Sequence, residues 1–254
     1  MRITIKVGSN VLTRPDGTLD FTRMSSIVDQ IAQLRHEGHE VLLVSSGAVA
    51  CGRSELKHIQ EDLDSVDQRQ LFSSVGQAKL MNRYFELFRE YGISVGQVLT
   101  MKENFNDSPH RSNQENCLRV MLKNGVLPII NENDTVSITE LMFTDNDELS
   151  GLITQMTHSD MLILLSNIDG IYTGNPSDPD ARLIPTVNPN ADLTAYISPQ
   201  QSSAGRGGMQ SQASVACSLA ASATPVIIAN GKRSDILLRL IHQPDTTPCT
   251  RFIC

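Results

Sequence analysis

Five short segments hold the residue types that bind or transfer a phosphoryl group. Gly205 to Gln212, GRGGMQSQ, sets three glycines ahead of a helix-like run through Met209, Ala213, Ala216 and Leu219. Glycine lets backbone approach a ligand closely, and a helix start presents unpaired N–H groups to an anion. Its eighth position is Gln212, an uncharged amide. Lys6 to Asn10, KVGSN, ends an apolar run. A lysine there is unfavourable unless it meets an anion, while Gly8 permits close approach and Ser9 and Asn10 add donors. Ser45 to Gly52, SSGAVACG, follows a second apolar run with Gly47 leading into a helix start, a pattern that also suits tight helix–sheet packing. Asn131 to Ser150 gathers Glu132, Asp134, Glu140, Asp145, Asp147 and Glu148 with the amides of Asn131, Asn133 and Asn146. Acids beside a phosphate site make sense when the ligands also bring positive charge, either Mg²⁺ or the ammonium of an amino acid. Ser166 to Ala181 is a long Gly/Pro-containing loop with one aromatic, Tyr172, suited to covering a nucleotide base. Together these imply phosphoryl transfer without a P-loop, since neither a Walker A sequence nor a GxSxG elbow occurs.

The elements that must position these segments alternate along the chain. Strands are predicted at 2–8, 40–47, 93–99, 126–131, 160–167 and 225–230, with a last one near TRFIC. Helices are predicted at 21–38, 67–92, 108–124, 146–157, 209–222 and 233–242. Continuous apolar strands between helices imply an α/β fold with a parallel sheet covered on both faces. In such sheets ligands sit beyond the carboxyl ends of strands, where each polar segment falls. The 254 residues, without an internal repeat or long linker, are read as a single domain, residues 1–254.

Composition narrows the function classes. The net charge is −7 and the pI about 5.3, with no basic run for nucleic acid. Aromatics are 4% of the chain, too few for a base-stacking platform. No apolar run has membrane-spanning length and the N-terminus does not read as a signal peptide. The five cysteines form no CxxC and suit free thiols in a reducing cytoplasm.

IKVGSNVLT, VLLVSSGAVACGR, LFSSVGQ, GISVGQVL, PIINENDTV, TDNDELS, DGIYTGNP and GRGGM occur in the order of the amino acid kinase superfamily. INEND followed by DNDELS resembles its glutamate 5-kinase branch, and the resemblance covers essentially the whole chain. It implies a three-layer αβα sandwich with a mostly parallel central sheet, a kinase domain without the C-terminal PUA domain of many members, ATP and Mg²⁺, and transfer of the γ-phosphoryl group to the glutamate side-chain carboxylate in proline biosynthesis. It implies that Lys6 stabilises the transferring phosphoryl group, Asp147 orients Lys6, and Gly8 and Ser9 donate to phosphate. Ser46 and Gly47 would contact glutamate, Asp134 and Asn146 would grip its ammonium and carboxylate ends, and Ser166, Asn167, Gly207 and Met209 would lie along the nucleotide. No protein side chain is assigned to metal. Proline as feedback inhibitor, a glutamyl phosphate reductase as partner, a homo-oligomer and a cytoplasmic location are further expectations, with no nucleic acid or membrane partner.

Two positions depart from the resembled pattern. A nucleotide-phosphate lysine is replaced by Gln212, and Asn167 stands where aspartate is commoner. Arg206 is expected to supply the missing charge from the loop. The alternative reading is a weak or inactive homologue that binds glutamate or proline as a sensor or partner. A third keeps the chemistry with another small acid or an N-modified amino acid as acceptor; the acidic pocket at Asp134 disfavours N-acetylglutamate.

Overall fold

The computed structural model describes residues 1–56, 63–137, 143, 145–188, 191, 193, 196 and 208–253. The apolar runs form β1 (Arg2–Val7), β2 (Glu40–Ser45), β3 (Val95–Thr100), β4 (Leu127–Glu132), β5 (Met161–Ser166) and β7 (Val226–Asn230). Two short strands, β6 (Thr186–Val187) and β8 (Cys249–Phe252), complete one sheet in the order β3-β4-β2-β1-β5-β7-β8-β6. Its pairs are parallel except β7–β8, which is antiparallel. β6 is not among the strands predicted from the sequence. It is two residues long, too short for a periodicity, and exists because β8 offers it an edge.

The interior strands are buried on both faces, hence their unbroken apolar character. α2 (Phe21–His36), α4 (Ser65–Arg89) and α9 (Ile236–His242) pack on the face carrying Ile3, Ile5, Val41, Leu43 and Ile163. α6 (Ser108–Lys123), α7 (Asn146–Met156) and α8 (Met209–Ala221) cover the face carrying Leu42, Val44, Leu162 and Leu164. This is the expected three-layer αβα sandwich. α9 begins three residues later than its pattern predicts, because Asp235 has φ 52° and a helix cannot run through it.

Three more helices occupy the carboxyl side: α1 (Ser9–Leu12), α3 (Ala48–Glu55) and α5 (Glu103–Asn106). Chain direction along the sheet reverses about β1 and β5, so the crevice opens beyond the ends of these strands. Among the described residues no helix is long and apolar enough to cross a membrane.

Candidate active site

Lys6 sits in the central strand with its side chain 7% exposed. Its ammonium meets Asp147 Oδ1 at 2.5 Å, so the anion that an internal lysine requires comes from the first turn of α7. Burial pushes the Asp147 carboxyl up to about 6; the Lys6 charge opposes this, Asp145 reinforces it, and hydrogen bonds from Lys6 and Gln212 lower it. Asp145 caps α7, accepting from the Asp147 and Glu148 N–H groups at 2.8 and 3.0 Å, and thereby sets where Asp147 points.

Around this pair the cleft, about 1080 Å³, is lined by Gly8, Ser9, Ser46, Gly47, Asp134 and Asn146, and also by Ser166, Asn167 and Met209. All the site residues expected from sequence that are described therefore line one cavity. Arg206 and Gly207 lie outside the described residues. One expected contact changes character. The Gly8 N–H is directed at the Leu165 carbonyl at 3.3 Å, so it is not a spare donor. Gly8 instead leaves room: a Cβ there would stand 3.4 Å from the Lys6 ammonium nitrogen. Ser9 and Asn10 begin α1, and their N–H groups have no partner within that helix.

The helix N-termini differ in a way that matters. α2, α4, α6 and α7 are each capped by an aspartate side chain. α3 and α8 start on Gly47 and Gly208 with no side-chain cap, and both glycines line the cleft. Gly47 has φ 102°, a backbone shape that side chains rarely adopt. Uncapped N–H groups facing a cavity are suited to an anion.

The acid end of the cleft is built by β4 and α4. Asn146 donates to the Ser46 hydroxyl and to Asn131 Oδ1, each at 2.9 Å, and Asn131 donates to Gln77 Oε1 at 2.9 Å. Asp134 accepts from Arg69 Nε at 2.7 Å, and Arg69 Nη2 reaches Glu132 Oε2 at 2.8 Å. Beneath it the Tyr84 hydroxyl bonds Ser45 Oγ at 2.8 Å, and burial pushes the phenol up to about 12.

Sequence reading missed Arg69. It lies on a helix whose pattern reports only its core face; its one signal is a cation so near a helix N-terminus, against the macrodipole. Gln212 proves buried, 6% exposed, with its side-chain oxygen unpartnered among the described residues. Lys232 also lines the cleft, as do Ser166, Asn167 and Met209. Tyr172 does not line the cleft; its hydroxyl bonds Asp169 at 3.3 Å, and Asp169 is gripped by Arg233 through two contacts of 2.6 Å.

The profile of the Amino acid kinase family matches residues 1–230. The chain belongs to the amino acid kinase family. Among curated relatives, this kinase is 64% identical to the glutamate 5-kinase of Bacteroides thetaiotaomicron, covering 99% of this chain and 70% of the relative. It is 41% identical to the glutamate 5-kinase of Symbiobacterium thermophilum, covering 94% and 92% of the two chains. Among solved structures, carbamate kinase from Giardia lamblia bound to AMP-PNP superposes with a TM-score of 0.68 at 15% identity, covering 99% of this chain and 98% of that one. UMP kinase from Ureaplasma parvum gives 0.66 at 16% identity, covering 100% and 98%. These structural likenesses establish the fold of this amino acid kinase.

Proposed function

We propose that the protein transfers the γ-phosphoryl group of ATP to the side-chain carboxylate of L-glutamate, giving L-glutamyl 5-phosphate in the first step of proline biosynthesis. The observation that carries this reading is the polarity of the cleft about Lys6. On one side lie the uncapped N-terminus of α8 and the glycine turn at Gly8; on the other lie an acid and amides suited to an amino acid, beside the uncapped N-terminus of α3.

The chemistry follows from charge and position. The attacking carboxylate is already ionised, so no general base is required. In-line transfer needs alignment and compensation of charge on the transferring group. Lys6 supplies that compensation from a water-poor position, where a charge acts strongly. Asp147 keeps the ammonium aimed. Ser46, Gly47 and Asn146 hold the carboxylate that attacks, and Asp134 receives the α-ammonium. Ser9, Ser166, Asn167 and Met209 lie along the nucleotide, Gly8 leaves space for its phosphates, and Gly207 and Arg206, outside the described residues, are assigned to the same nucleotide, Arg206 as a compensating charge. The nucleophile and the phosphates thus meet at Lys6, between the two sides.

Magnesium fits this site as the ion of the nucleotide phosphates. Among the described residues no group of three Asp, Glu, His or Cys side chains could hold a metal, Asp147 is engaged by Lys6, and Mg²⁺ draws most of its ligands from phosphate and water. When bound it supplies charge compensation between phosphates. The proposal extends to proline as a ligand of the acid end, since it shares a cationic nitrogen beside a carboxylate. It also includes a homo-oligomer and a reductase that consumes the labile acyl phosphate.

A coupled assay with ATP, Mg²⁺ and L-glutamate tests the reading. The expected result is ADP release far above that of Lys6→Ala, and preference for glutamate over N-acetylglutamate. Turnover no higher than in Lys6→Ala contradicts it.

A further inference from the structure

The acid end contains a cation that the site's assigned roles do not use. Arg69 is the fifth residue of α4, and its side chain is 16% exposed on the cleft wall. Its Nε and Nη2 both reach Asp134 Oδ1, the first at 2.7 Å, and Nη2 also reaches Glu132 Oε2 at 2.8 Å. The two carboxylates are not equivalent. Glu132 ends β4, its side chain is 3% exposed, and its Oε1 accepts the Phe143 N–H at 2.9 Å. It is a fixed anchor. Asp134 lies in the turn after β4 and is the more open of the two, at 11%.

We propose that Arg69 recognises the α-carboxylate of the amino acid acceptor, and that this carboxylate takes the place on the guanidinium that Asp134 holds. The inference rests on the acceptor being an amino acid, as read above. An α-ammonium drawn to Asp134 carries its carboxylate on the same carbon, so a guanidinium already touching Asp134 is within reach of both. Substrate entry then exchanges partners: Asp134 passes from guanidinium to ammonium, and the freed edge of Arg69 passes to the α-carboxylate. Glu132 holds Nη2 throughout, so no buried charge is left alone during the exchange. Arginine suits the task because its planar fork can meet a carboxylate with two parallel hydrogen bonds.

The test compares L-glutamate with its α-carboxamide, which keeps the ammonium and the reacting carboxylate. The wild-type enzyme is expected to favour glutamate by about a hundredfold in kcat/KM, the scale of losing one partner of a buried charge pair. In Arg69→Gln the KM for glutamate rises by a similar factor, the KM for ATP stays within about threefold, and the preference for acid over amide collapses. Arg69→Lys restores part of the preference. Equal use of acid and amide by the wild type overturns the proposal, as does full discrimination retained in Arg69→Gln. Calorimetric binding of the same two ligands reads the ratio without turnover. Wild-type failure to turn over glutamate counts against the reaction, whereas the acid-to-amide ratio judges Arg69.

Discussion

Asp147 makes the activity pH-dependent in a direction that can be worked out. Its pKa is raised to about 6, chiefly by burial. Below that value the carboxyl is protonated and no longer draws the Lys6 ammonium into place. kcat/KM is therefore expected to fall as pH drops through about 6. Asp147→Asn should abolish this limb and lower the rate at neutral pH about a hundredfold. Gln212 tunes the same group. Its hydrogen bond favours the ionised acid, so Gln212→Leu should move the limb to higher pH, and Gln212→Lys, which adds a positive charge, should move it lower. Initial rates from about pH 5 to about pH 8, on either side of the Asp147 value of about 6, distinguish these outcomes. Arg206→Ala should lower kcat/KM for ATP about a hundredfold and leave the KM for glutamate unchanged; an unchanged ATP parameter removes Arg206 from the phosphate site. The lysine in β1 and the aspartate opening α7 were legible as chemistry in the chain. Their pairing is implied by the family resemblance and not by the chain's own pattern, because 141 positions separate residues 6 and 147.

The position of α4 depends on two glycines. A Cβ on Gly76 would lie 1.9 Å from the Ala48 carbonyl oxygen, and one on Gly52 would lie 1.8 Å from that of Phe72. α3 and α4 thus touch backbone to backbone, and α4 carries both Arg69 and the Gln77 that holds Asn131. Gly76→Ala must push the helices apart. It should destabilise the fold by about 3 kcal/mol and raise the KM for the amino acid more than that for ATP. Urea unfolding and steady-state kinetics check the two halves. The helix was readable from its own periodicity: 67–92 is predicted and Ser65–Arg89 observed. The close contact was not, because a glycine inside a helix does not announce which neighbour requires it.

Across the molecule, one sheet joins the two sides of the cleft. β4 and β2 carry the acid end, β5 and β7 the side proposed for the nucleotide, and β1 stands between them with Lys6. Interior strands packed on both faces make this a preformed site, so binding should stabilise the whole fold. A non-hydrolysable ATP analogue with Mg²⁺ at a hundred times its Kd contributes about 2.7 kcal/mol. For a chain of this size that is a rise of roughly 5–10 °C in Tm. Lys6→Ala should show a smaller rise under the same conditions in a thermal melt, and no rise in the wild type contradicts a nucleotide site in this cleft.

The chain by itself determined the alternation of strand and helix and the placement of polar segments at strand ends. Those properties are local: apolar runs, periodicity and glycine turns are set by neighbours in sequence. The tertiary structure alone decided that the Gly8 N–H turns to the Leu165 carbonyl, that Gln212 is buried in the cleft, and that Arg69 joins Asp134 to Glu132. Each of these depends on which distant groups share a buried volume. Charges pair and shift their pKa according to that volume, not according to their order along the backbone.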